Sequence, residues 1–109
     1  MGVKRFKVKS IGRHSGVVHE FITTVDEDDA HLLRSSYWRV TNSTALNADG
    51  IKENRKYIKR ETASGTQTLH QLIVGAGPAE KVWHINGDSL DNRKCNLMKQ
   101  SDRVEEIID

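Results

Sequence analysis

At 109 residues the chain is long enough for one compact domain and too short for two. Its hydrophobic content of 36% predicts a modest core with plentiful loops, and a net charge of only +2 implies little about partners. No apolar run reaches bilayer-crossing length, no signal-peptide pattern opens the chain, and the single Cys95 excludes an intrachain disulfide or a multi-cysteine zinc site. No membrane partner and an intracellular setting are expected; the oligomeric state stays open.

Phe6 and Val8 alternate with lysines, so residues 4–10 read as a strand with one basic face. Residues 17–24 read as a second strand, entered through Gly16. Asp26 has the chemistry of a helix N-cap, and the acids behind it suit the positive end of a helix dipole. That helix runs to Ser35-Ser36. Residues 37–40 form another strand, with Trp38 in the core. Residues 41–53 are polar and read as a loop turning at Asn47-Ala48-Asp49-Gly50. Residues 57–62 form a basic strand that pairs with residues 66–69 across Ser64-Gly65. A short helix over 70–74 ends at Gly75-Ala76-Gly77-Pro78.

Two segments concentrate positive charge. Residues 1–13 carry Lys4, Arg5, Lys7, Lys9 and Arg13 without an acid, and residues 52–60 carry Lys52, Arg55, Lys56, Lys59 and Arg60 against Glu53. Separated basic segments suit a phosphate backbone, whose neutralisation releases counterions; a merely solvated surface is the plainer alternative.

Chemistry concentrates in residues 81–96, KVWHINGDSLDNRKCN. Val82, Trp83 and Ile85 supply strand-forming side chains, and Asn86-Gly87-Asp88 supplies a tight turn. His84 sits in that strand beside a loop rich in Asp, Asn and Arg. A second strand over 96–99 follows. Ser101 then caps a helix bearing Val104, Ile107 and Ile108. The result is strand, polar loop, strand and helix.

At these residues the chain resembles the phage-type HNH endonucleases of the His-Me finger (ββα-metal) group. The matching text is Leu69-His70-Gln71-Leu72-Ile73, then the run from Val82 through His84, Asn86, Gly87, Asp88, Leu90, Asp91, Asn92 and Arg93, then Asn96-Leu97. Thr24 to Asp29 and Tyr37-Trp38 resemble the family's lead-in, so the likeness covers most of residues 20–101. It implies an α+β fold of small antiparallel sheets and short helices with a C-terminal ββα-metal finger. It implies one domain, with a β-rich DNA-contacting part over 1–65 and a catalytic part over 66–109.

The resemblance further implies a metal-dependent DNA endonuclease that nicks or cuts both strands, found in host cytoplasm if viral. His84 becomes the general base, a role its ordinary pKa near 6.5 suits. Asn96 pins the loop and orients the base, while His70, Asn92 and Asp91 support them. One divalent cation, Mg²⁺ or Mn²⁺, is expected. The residue before the base, usually an Asp ligand, is Trp83 here, and indole does not bind a hard cation. Counting nine residues from Asn96 reaches Glu105, and Asp102 precedes it by one turn, so these two carboxylates are the expected ligands. Arg93, Lys52, Arg55, Lys56, Lys59 and Arg60 are the expected DNA contacts. The alternative is an HNH-fold protein impaired in cleavage that acts by binding DNA or protein. An unrelated small α+β module is the third reading.

Overall fold

The computed structural model describes residues 2–11, 16–46, 50–102 and 107. Its first unit is an antiparallel ribbon of β1 (Val3–Ile11) and β2 (Val18–Asp26), in register from Val3 opposite Asp26 to Ile11 opposite Val18. The lysine-apolar alternation works as period-2 sequence does: Val8, Thr23 and Val25 are buried, while their neighbours along the strands are exposed or half-buried.

Asp26 does not cap a helix. Its backbone is extended and its side chain makes no cap hydrogen bond to the 3-10 turn over Glu27–Asp29, which leads into α1 (Ala30–Arg34). The Asp26 carboxylate instead accepts from the Lys94 backbone amide at 2.9 Å, and Asp29 accepts from the Lys94 ammonium at 2.8 Å. The acid cluster is a staple to the C-terminal loop. Trp38 is buried, as its size suggests, and its indole nitrogen donates to the Leu32 carbonyl at 2.7 Å.

The expected loop over 41–53 is largely strand. β3 (Arg39–Leu46) and β4 (Lys52–Thr62) pair antiparallel from Arg39 opposite Lys59 to Leu46 opposite Lys52. The tip of this hairpin, residues 47–49, lies outside the described residues. β5 (Gly65–Thr68) pairs with β4 as expected and runs into α2 (Leu69–Val74). Gly75 ends α2 in the left-handed conformation at φ 70°, where glycine carries no Cβ penalty.

Six strands form one curled mixed sheet in the order β5-β4-β3-β1-β2-β7, where β7 is the two-residue strand Asp91–Asn92. β1 meets β3, and β2 meets β7, in parallel. A separate pair joins β6 (Val82–His84) to β8 (Leu97–Lys99), with His84 opposite Leu97. α2 contacts both edge strands of the curled sheet, β5 and β7, as well as β4 and β8. Val8, Val25, Trp38, Val40, Ile58, Leu69, Ile73, Val82 and Leu97 form the core.

The α+β expectation is therefore corrected. The described chain is mostly β, with eight strands and two α-helices of five and six residues. Polar hairpin arms carry little of the apolar alternation by which a strand declares itself, so the sequence understated the sheet. The paired strands expected of the finger are present as β6 and β8. Where the closing helix is expected, from Ser101 on, Gln100–Asp102 form a 3-10 turn, and residues 103–106, 108 and 109 lie outside the described residues. The sheet also crosses the boundary drawn at residue 65, since β7 belongs to it. Among the described residues no helix is long and apolar enough to cross a membrane.

Candidate functional site

His84 lies at the end of β6, 6% exposed, where the edge strand β7, helix α2 and strand β4 converge. Its Nε2 is 2.9 Å from the Asn92 Oδ1. Asn92 is fully buried and donates its Nδ2 to Thr23 Oγ1 at 3.0 Å, and Thr23 donates to the Leu90 carbonyl at 2.7 Å. This chain fixes a tautomer. Thr23 has one proton and gives it to Leu90, so it accepts from the Asn92 amide nitrogen. The Asn92 oxygen then faces His84, which must carry its proton on Nε2. The ring's lone pair is on Nδ1. A group linked in this way is what a general base needs: one nitrogen held, the other basic.

The other side of the ring meets His70, with centroids 5.1 Å apart, and His70 in turn meets Tyr57 at 5.3 Å. Burial pushes the His84 pKa below its ordinary value. The Asn92 hydrogen bond and the negative charges of Asp88 and Asp91 oppose that shift, while the Arg55 guanidinium adds to it. Burial, aided by repulsion from His84, pushes His70 down to about 4. Both imidazoles are neutral at neutral pH, and His84 is ready to accept a proton.

The loop from 85 to 96 is held by its own side chains. Asn86 and Asn96 bond reciprocally: the Asn86 amide donates to Asn96 Oδ1 and Asn96 Nδ2 to Asn86 Oδ1, each at 2.9 Å. Asn96 Nδ2 also reaches the Asp91 carbonyl at 2.9 Å. Asn86 donates its Nδ2 to Asp91 Oδ2, and Arg93 grips both Asp91 oxygens at 2.7 Å. That grip holds the Asp91 carboxyl below the usual range. Gly87 turns the loop at φ 79° while its amide donates to the His84 carbonyl. Among the described residues no buried side-chain nitrogen or oxygen lacks a partner.

The structure thus brings together His84, Asn92, Asn96, Asp91, His70 and Arg55. Arg93 belongs to the group through Asp91. It leaves other expected contacts elsewhere. Arg60 lies over Trp38 at 4.8 Å and donates to Gln67 and Ser36, beside a surface depression of about 390 Å³ that His84 does not line. Lys59 pairs with Glu61 at 3.6 Å, Lys56 sits over the Phe21 ring at 5.6 Å, and Lys52 is exposed at the start of β4. Asp102 is exposed and 3.8 Å from Lys99, while Glu105 lies outside the described residues.

For a hard cation the donor chemistry of Asp102 is suitable, and an exposed ion pair with lysine is readily given up. The described residues contain no group of three His, Cys, Asp or Glu side chains arranged for a metal. A Mg²⁺ ion commonly takes one or two carboxylates together with substrate phosphates and waters. Sequence reasoning missed Thr23, Asn86 and Tyr57. A strand threonine 69 positions from its partner carries no local signal, whereas Asn86 at a turn is ambiguous between backbone and network duty.

The chain was compared with protein-family models, curated proteins and solved structures. None matches.

Proposed function

We propose that the protein is a metal-dependent DNA endonuclease of the HNH kind, hydrolysing a phosphodiester with His84 as general base. The supporting observation is the chain from Thr23 through Asn92 to His84, which reserves Nδ1 for the proton of an attacking water. Asn96 keeps the loop under the base, and Arg55 supplies positive charge near it. A divalent cation held by Asp102 and Glu105 would supply Lewis-acid stabilisation of the phosphate and the leaving oxygen. The remaining work falls to this chain: fixing the tautomer, keeping the imidazole neutral and holding the loop rigid.

Incubation with supercoiled plasmid, with and without Mg²⁺ or Mn²⁺, tests the reading. Cation-dependent nicked or linear product is expected. A second reading has support of its own, because Trp83 replaces the usual carboxylate and Asp102 is engaged with Lys99. On that reading the protein binds DNA or a protein partner without efficient cleavage. Retained DNA binding with no product under either cation would decide for it.

A further inference from the structure

Strand alternation divides the β1–β2 ribbon between two faces. Phe6, Val8, Phe21, Thr23 and Val25 turn to the core side, and Arg5, Lys7 and Lys9 turn outward opposite Thr24, Ile22 and Glu20. The pairings of Lys9 with Arg39 and of Arg39 with Lys59 carry the same outer face across β3 onto β4. Arg5, Lys7, Lys9, Arg39 and Lys59 therefore share it, among the described side chains and away from its Asp26 end, with two carboxylates, Glu20 and Glu61. Glu61 serves both Arg39, at 2.8 Å, and Lys59, at 3.6 Å. Lys7 reaches Glu20 at 3.7 Å, a contact between exposed groups that a phosphate can displace. Arg5 and Lys9 have no carboxylate within ion-pair distance among the described residues. Ile22, 58% exposed, stands opposite Lys7 among these charges, and Val18, 49% exposed, lies just beyond Lys9, opposite Ile11.

We infer that this outer face docks duplex DNA, with Arg5, Lys7 and Lys9 on phosphates. Excess positive charge selects a polyanion, and exposed Ile22 and Val18 suit the apolar contacts that thymine methyl groups offer. The inference rests on the reading of the protein as one that acts on DNA, and it turns the basic segment over 1–13 into a defined face with named phosphate contacts. Thr23 faces the opposite side of β2 from Ile22, so the docking face is separate from the chain of bonds that holds His84. It governs attachment, not chemistry.

The test is the triple variant Arg5→Gln/Lys7→Gln/Lys9→Gln, assayed by fluorescence anisotropy of a short labelled duplex over a salt series. Each lost phosphate contact reduces the slope of log affinity against log salt by about 0.9, so the slope should shrink by roughly 3 and binding should weaken at least about tenfold at low salt. Wild-type affinity and slope in the variant would overturn the inference, as would tighter binding of the wild-type protein to double-stranded RNA of the same sequence. If the variant melts early, the three single variants decide the matter, each lowering the slope by about 1. The two readings fail separately. A protein that never nicks but loses DNA binding in the variant refutes the endonuclease and keeps the docking face. A protein that nicks, with binding untouched by the variant, does the reverse.

Discussion

The two sides of β2 are built on opposite principles. On the inner side Thr23 is fully buried and spends both its donor and its acceptor on fixed partners. On the outer side Ile22 is open and the nearest polar contact, Lys7 to Glu20, joins two exposed side chains. One residue's step along a strand separates a site whose geometry is determined from a surface whose geometry is adaptable. A proton acceptor needs the first because its reach is a hydrogen bond. A phosphate contact tolerates the second because charge acts over several ångströms in water.

The contrast is broken most severely at the base. His84→Ala should lower nicking about 10²–10⁴-fold while DNA affinity stays within error, because the ring is buried away from the outer cations. Unchanged nicking by the folded variant removes His84 from the mechanism. Next in size is acid. His70 is held neutral in the folded chain with its pKa pushed down to about 4. The unfolded chain, at about 6.5, takes up its proton first. The contribution of this group should therefore be full above about pH 6.5, fall as pH drops toward 4, and level out below, a loss of about 3 kcal/mol. Urea denaturation across that window measures it, and His70→Gln should flatten the dependence. Nicking should follow the same direction, declining only at pH below 6.5 as His84 becomes protonated.

Thr23→Val probes the inner side more gently. It leaves the Asn92 side-chain amide without its acceptor, while the Leu90 carbonyl keeps the Thr24 backbone amide at 3.0 Å, and should cost about 1–3 kcal/mol. Freed from that constraint, Asn92 no longer dictates the His84 tautomer, so nitrogen chemical shifts of the ring should report both tautomers where the wild type shows Nε2–H. A ring unchanged in tautomer would mean that Asn92 is held by something besides Thr23. The smallest effect belongs to the outer side. Breaking its Lys7 to Glu20 contact with Glu20→Gln should change stability by less than about 1 kcal/mol in a thermal melt. A larger loss would show that the outer face is as constrained as the inner one.

Legibility in the sequence follows range. β1, β2, β5 and α2 with its Gly75 stop were readable because alternation and glycine punctuation are local. The turn at Asn86-Gly87 and the return strand at Leu97 were equally local. The outer ends of β3 and β4 were not, because residues 42–46 and 52–56 are mostly polar and pair chiefly with each other. Nor was the role of Asp26, whose composition fits a helix cap but whose partner lies 68 residues away. Asn92 illustrates both cases. Its place in the motif marked it as supporting the site, yet nothing nearby in the chain indicated that its amide joins Thr23 to His84.

The parallel pairing of β2 with β7 imposes an order of events on folding. Thr24 lies opposite Asp91, so this edge closes a loop of more than sixty residues, one of the slow steps for a small β-rich chain. During synthesis residues 91–92 follow β2 by more than sixty positions, so this edge of β2 cannot receive its partner until they have emerged. His84 is already synthesised by then, but Asn92 is not in place to orient it. The bond that sets the His84 tautomer forms only when the sheet receives this strand, so the geometry proposed for the base depends on closing the edge of β2.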